Sequence, residues 1–132
     1  MTRTTGAPAR AAARRSAHYE RVLALGRSMP GVSAEPKYDG TLVLKIDSCF
    51  MAGLATHATA GPDSVVVRMD DDARAALIED DGDTYYAPPY YARHPVVLAR
   101  LSRLDDAALR DLLSVSRRLT LRKARRLPPL AG

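Results

Sequence analysis

Four tyrosines, Tyr85, Tyr86, Tyr90 and Tyr91, bracket Pro88 and Pro89, and Arg93 and His94 follow at once. This is the stretch of the chain whose residue types could do the most recognition chemistry. A phenol presents a ring face that stacks on a base or lines a ligand groove, and a hydroxyl that seeks a polar partner. A neighbouring cation adds attraction for phosphate or for the ring face. The competing reading is structural: alternate tyrosines plug a sheet edge while the prolines turn the chain, with a cis X–Pro bond open at either proline. Packing is the commoner use of such rings, so ligand contact is the bolder of the two readings.

A second candidate lies near the C-terminus, where Arg117, Arg118, Arg122, Lys123, Arg125 and Arg126 place six cations within ten residues. On a helix this spacing spreads charge around the axis and forms no clean amphipathic face. Such a run attracts phosphates by releasing counterions, without sequence preference and with strong salt dependence. Equally, it is a solvated tail that aids solubility.

Other chemistry-bearing residues lack the spacing their chemistry needs. Asp70-Asp71-Asp72 and Glu79, Asp80, Asp81 and Asp83 supply seven carboxylates. They lack the twelve-residue loop with its glycine and terminal glutamate that holds calcium, so they read as a charged helix start and a solvated turn. Weak cation binding at the acidic turn stays open. His18, His57 and His94 stand far apart, with no i, i+4 pair and no cysteine companions, which is no zinc pattern. Cys49 sits in an apolar strand pattern and reads as a core residue. Ser114 and Ser116 lie in a helical stretch without a nucleophile elbow. No catalytic residue, metal site or cofactor is assigned, and the chain reads as a non-enzymatic protein.

The net charge of +5 divides unevenly. Residues 1–15 carry Arg3, Arg10, Arg14 and Arg15, and residues 117–126 carry the six cations above. The stretch 16–116 holds ten cations and all fifteen acids, a net −5. The chain is an acidic body with two basic ends, and any attraction for nucleic acid belongs first to the ends. One cysteine excludes an internal disulfide and suits a reducing cytoplasm. No apolar run nears the roughly 18 residues of a membrane span, and no signal-peptide pattern opens the chain, so neither a membrane partner nor secretion is expected. The acid-free, arginine-bearing start fits either an organelle transit peptide or an uncleaved basic tail, and the tail is the preferred reading.

A chain of 132 residues supports one domain. The expected organisation is a flexible basic segment over 1–15, a domain over 16–119 and a basic tail over 120–132. Tyr19, Val22, Leu23 and Gly26 recur at helical spacing and predict a helix over 16–28, which Ala9 to Arg15 can extend; Met29-Pro30-Gly31 ends it. Leu42, Leu44 and Ile46 alternate with Val43 and Lys45, predicting a strand over 41–47. Strands over 49–56 and 64–69 follow closely enough to suggest an antiparallel meander. Asp70 caps a helix over 71–80 whose Ala73, Ala76 and Leu77 face the core. Short strands at 84–87 and 95–101 precede a helix capped by Asp105 and running to about 119, with Leu104 and Leu109 as a hydrophobic staple. The order is α-β-β-β-α-β-β-α, an α+β fold with one antiparallel sheet covered by helices.

The run Ser64-Val65-Val66-Val67-Arg68-Met69, the acidic helix start and Ala75-Ala76-Leu77, then Tyr85-Tyr86-Ala87-Pro88-Pro89-Tyr90-Tyr91-Ala92-Arg93-His94-Pro95 and Val96 to Leu101, occur in a familiar series. With the helix before Met29-Pro30-Gly31-Val32 and the one over 109–118, about residues 17–121 resemble the MmcQ/YjbR-like family of small bacterial proteins. The resemblance implies a frataxin-like α+β fold and a DNA-binding role that the family carries mostly by analogy of shape. Two departures stand out: Val115-Ser116 replaces an aromatic residue common in the final helix, and there is no Trp. Frataxins hold iron on an acidic first helix; here that helix offers only Glu20 among several arginines, so iron handling of that kind is not expected. The functions in view are therefore weak, sequence-blind DNA binding through the basic ends, or a protein-interaction or small-molecule-binding module using the loop 85–94.

Overall fold

The computed structural model describes residues 7–126, with side chains described from residue 17 onward. Residues 1–6 of the expected N-terminal segment and 127–132 of the expected tail lie outside the described residues. The elements run in the order α1 (Ala7–Arg27), β1 (Ser33–Pro36), β2 (Leu42–Ile46), β3 (Cys49–Leu54), β4 (Ser64–Arg68), α2 (Asp71–Asp80), β5 (Tyr85–Tyr86), α3 (Pro89–Ala92), β6 (Val96–Arg100) and α4 (Asp106–Arg126), with one 3-10 turn at Leu101–Arg103. This is an α+β fold. Its six strands form one open sheet in the order β1-β2-β3-β4-β6-β5, and every pairing is antiparallel.

The expected meander is β2-β3-β4. Its first turn is only Asp47-Ser48, both at positive φ (48° and 71°), the two-residue geometry that follows the sheet twist. Two elements lay outside the sequence expectation. β1 is polar and ends in Pro36; an edge strand tolerates proline because only one of its sides must donate. α3 is a single turn started by Pro89, whose missing N–H is no loss in a first turn, and no peptide bond among the described residues is cis.

Both long helices outrun their expected limits. α1 begins at Ala7, where Ala and Arg favour helix, and α4 continues to Arg126 because no proline intervenes before Pro128. The cations of its last turn also suit the negative end of the helix dipole. The caps are as expected: Asp70 Oδ1 accepts from the Ala73 N–H at 2.8 Å, and Asp105 Oδ1 from the Ala108 N–H at 2.8 Å. Leu104 and Leu109 are both buried in the core, where a staple would put them. α2 meets the expectation in part: Ala73 and Leu77 pack, half-buried, against the core, whereas Ala76 is exposed and no residue of the helix is fully buried.

One face of the sheet carries the main core. Leu44, Ile46, Met51, Val65, Val67 and Val97 pack there against Val22 and Leu23 of α1 and Leu109, Leu112 and Leu113 of α4. Gly26 lets α1 sit close on β2, since a Cβ there would collide with the Leu44 side chain. Arg21 ties α1 to the start of α4: its guanidinium donates to Asp106 Oδ1 at 2.9 Å and to the Leu104 carbonyl at 2.6 Å.

A β-bulge interrupts β3. Leu44 pairs with Ala52 but Lys45 pairs with Phe50, so Met51 is the extra residue. Met51 and Ala52 both enter the core, while Phe50 and Gly53 turn to the opposite face. The buried Ser116 hydroxyl of α4 donates to the Met51 carbonyl at 2.9 Å. From the other side, Arg68 Nε donates to the Phe50 carbonyl at 2.8 Å.

Two outcomes follow. Ser116→Ala strands the Met51 carbonyl in the core, so urea unfolding should show a loss of about 1–3 kcal/mol, larger than that of Ser114→Ala on the same helix. Tyr19 is buried and donates to the Leu42 carbonyl at 2.5 Å, and burial pushes its phenol up to about 12. A raised folded pKa contributes stability in full below the unfolded value near 10 and loses it as pH rises through 12. The wild type should therefore lose roughly 2–3 kcal/mol between pH 10 and 12. Tyr19→Phe, measured by urea unfolding over the same range, should be flatter by that amount.

Candidate functional site

The second face of the sheet has no long helix on it. Val43 and Lys45 of β2, Phe50 and Gly53 of β3, Val66 of β4 and Val96 of β6 point to this side, as period-two alternation across the register requires. Part of this face is covered by α3 and by the loop over 55–63. A small second core forms beneath them from Val66, Tyr91, Val96 and Leu98, flanked by Phe50 and Tyr86.

Beside that cover lies a groove of about 540 Å³. Its floor is Val43, Phe50, Gly53 and Val66. Lys37 and Lys45 line it near the two ends of β2, and His57, Tyr90, Tyr91 and His94 make its aromatic end. No Asp or Glu lines it, although residues 16–116 carry a net −5. Gly53 sets its depth: a Cβ there would lie 3.2 Å from both Phe50 Cε1 and Val43 Cγ1.

The aromatic end is built from three rings. His57 and Tyr90 stack with centroids 3.6 Å apart and planes 9° apart, and Tyr91 meets each of them edge-on. The two adjacent tyrosines divide the work. Tyr91 is buried, and its hydroxyl accepts from the His57 backbone N–H at 3.0 Å, which anchors the 55–63 loop to α3. Tyr90 is 40% exposed. His57 Nδ1 is engaged by Thr59, whose hydroxyl lies 2.8 Å away and whose N–H donates at 3.2 Å. α3 is itself held from behind. Arg74 of α2 donates to the carbonyls of His94 at 2.9 Å and Val96 at 3.1 Å, and Asp71 pairs with Arg74 at 3.1 Å.

Of the residues singled out from the sequence, Tyr90, Tyr91 and His94 thus line one groove. Arg93 is exposed, with its guanidinium carbon 5.0 Å from the Tyr90 ring centre. Tyr85 and Tyr86 point to opposite faces. Tyr86 is structural: its hydroxyl bonds Ser64 Oγ at 2.5 Å and accepts from the Gly61 N–H at 2.8 Å, under the Arg100 guanidinium. Tyr85 turns to the helical side, where burial first, and then the charges of Asp81, Asp80 and Asp111, raise its pKa. The run from Arg117 to Arg126 is on α4, across the sheet from the groove. Arg117 Nε donates to the Pro30 carbonyl at 2.8 Å, whereas Arg118, Arg122, Lys123, Arg125 and Arg126 are exposed.

Sequence reasoning missed His57, Lys37 and Phe50 as site residues. His57 is separated from Tyr90 by thirty-two intervening positions and only the fold joins them. Lys45 was legible in part, since alternation already put it on the face opposite Leu44. The acidic turn has a structural explanation: Asp81 accepts from Thr84 Oγ1 at 2.6 Å and from its N–H at 3.2 Å, and the Thr84 bond is the main cause of its lowered pKa. A second groove, about 510 Å³, lies between α2 and α4 over Met69, Leu77 and Leu112, with Asp80 and Asp111 at its rim. Among the described residues no three His, Cys, Asp or Glu side chains gather as a metal site, and no helix is long and apolar enough to cross a membrane.

Comparison of the chain with family models, with curated proteins and with solved structures gives no match.

Tyr91→Phe should keep the ring packing and release the loop. Amide exchange at His57 should quicken at least tenfold relative to wild type by NMR, with a global stability loss of about 1 kcal/mol.

Proposed function

We propose that this protein is a non-enzymatic binding module of the MmcQ/YjbR-like type, with a frataxin-like sheet-and-helix arrangement, whose ligand site is the groove on the helix-free face of the sheet. The observation that carries this reading is the lining: an apolar floor, two lysines and two histidines, stacked aromatic rings, and no carboxylate, in a body that is otherwise acidic. Concave apolar sites with a few convergent polar groups are the usual form of small-ligand pockets. This one favours a planar or apolar body carrying negative charge. The groove between α2 and α4 has two carboxylates at its rim and would repel the same ligand.

The family resemblance supports the module type through residues 64–101, of which β4, α3 and β6 border the groove. Its DNA-binding label finds a second footing in the exposed cations of α4. Five of them beyond Arg117 are exposed to solvent, and their charges outweigh the negative dipole of the helix C-terminus. Binding there would be weak and blind to sequence.

Anilinonaphthalene sulfonate, a planar apolar anion, separates these sites. NMR titration should shift Lys45, Phe50, His57 and Tyr90 and leave Ala73, Leu77 and Leu112 in place. Lys45→Ala should weaken binding several-fold. Shifts confined to the α2–α4 groove would overturn the reading. For the basic end, a labelled duplex should bind with a steep salt slope, and replacing Arg122, Lys123, Arg125 and Arg126 with Ala should lower that slope by about three to four.

A further inference from the structure

The cleft between α2 and α4, about 510 Å³, carries carboxylates where the sheet-face groove carries lysines. Met69 is its buried floor, and Ala76 and Leu77 of α2 line it across from Leu112 and Val115 of α4. No lysine, arginine or histidine lines it. Its polar groups are Asp80 of α2, Asp111 of α4 and Tyr85 of β5. Among the described residues none of these three side chains is in a hydrogen bond or ion pair. A helical carboxylate gains most from a cation one turn away. One turn from Asp80 stand Ala76, Leu77, Asp83 and Thr84, and one turn from Asp111 stand Ala107, Ala108, Ser114 and Val115, none of them a cation. Asp80 also lies beside Glu79 in the last turn of α2, where the helix dipole is negative and no basic residue offsets it. Both charges reach Tyr85, whose pKa is raised by burial first and then by Asp81, Asp80 and Asp111.

We propose that this cleft is a second binding site, separate from the sheet-face groove, and that it takes a small primary amine carrying an alkyl or aryl group. The apolar part of such a ligand covers Met69, Leu77 and Leu112, and that burial supplies most of its affinity. The charged part selects its sign. Asp80 and Asp111 stand on different helices, so an ammonium held by both bridges α2 to α4. With Tyr85 they offer three oxygen-bearing side chains to the three N–H donors of an ammonium. The bound cation also offsets the repulsion between Asp80 and the C-terminal dipole of α2. A bare metal ion fits poorly. Calcium takes six to eight oxygens, and among the described residues no three acids or histidines gather as a metal site. An anionic ligand meets two uncompensated carboxylates and no cation.

The test uses the full chain and phenylbutylamine, followed by NMR titration. Phenylbutanol and phenylbutanoate, of the same size, are the neutral and anionic comparisons. The amine should shift Leu77, Tyr85, Leu112 and Val115 saturably and leave Phe50, His57 and Tyr90 in place. It should bind about tenfold tighter than the alcohol, and the carboxylate should leave the cleft unchanged, since each exposed ion pair contributes a factor of a few. Asp80→Asn and Asp111→Asn should each weaken the amine about two- to fivefold and leave the alcohol as it was. Both carboxylates are exposed, so neither variant threatens folding. The urea midpoint of ligand-free Asp80→Asn should be unchanged or higher, which a structural role for Asp80 would not allow. Equal affinity for amine and alcohol, or an amine that neither variant weakens, overturns the proposal. So does an amine that shifts only the sheet-face groove. Movement of the cleft resonances with protein concentration alone would assign the cleft to a second copy of the chain, and that too overturns it.

Discussion

The bulge at Met51 is the constraint on which both faces of the sheet depend. A regular β3 would alternate strictly from Cys49 to Leu54, and one face would lose a core residue for every residue the other gained. The extra residue lets Met51 and Ala52 both serve the core, and it resets the phase so that Phe50 and Gly53 serve the groove. The irregular backbone must still find partners. Ser116 supplies one from the helical side and Arg68 another from the groove side. The small side chain at 116 is therefore tied to the bulge: Ser116 is fully buried between α4 and β3, where a larger side chain would not fit.

The same division explains the distribution of charge. Acids cluster at the start and end of α2, in the turn after it and at the start of α4, where they cap amides, orient Arg74 and hold Thr84. Those positions are on the helical side or at its rim. The outer face of the sheet instead presents Lys45, Arg68 and Arg100 at strand positions, with Lys37 at its margin. A protein that is acidic by composition over 16–116 thus keeps one groove that no acid lines, although Glu35 stands beside it on β1, and a sum over the sequence hides it.

Much of the fold was legible because its signals are local. Alternation in Leu42–Ile46, the capping carboxylates Asp70 and Asp105, and the apolar stripe of α4 each depend on neighbours within one turn or one strand. The α+β class with an antiparallel sheet followed from them. β1 escaped notice because Ser33-Ala34-Glu35-Pro36 has no apolar period; it is a strand only because β2 offers an unpaired edge. α3 escaped because one helical turn is shorter than any period. The ends of α1 and α4 were drawn too short by reading basic sequence as tail, although Ala, Leu, Arg and Lys all favour helix. The site was half legible. Composition pointed to Tyr90, Tyr91 and His94, but His57 reaches them only through the return of the chain after β3, and no spacing rule anticipates a stack between residues so far apart.

That stack also shows why Tyr90 and Tyr91, identical and adjacent, differ in what they can do. On a single helical turn, neighbours diverge by about 100°. Tyr91 takes the inward direction, fills the space over Val66 and Leu98, and spends its hydroxyl on the His57 N–H. Tyr90 takes the outward one and keeps its edge in solvent. Arg74 fixes the carbonyls that follow, so the turn cannot rotate to exchange the two. The anchored ring holds the loop that carries His57, and His57 in turn fixes the plane of Tyr90. Ring positions set before a ligand arrives cost no side-chain entropy on binding. The polar bonds of α3 and the 55–63 loop are therefore best understood as support for one exposed aromatic edge beside the Arg93 guanidinium.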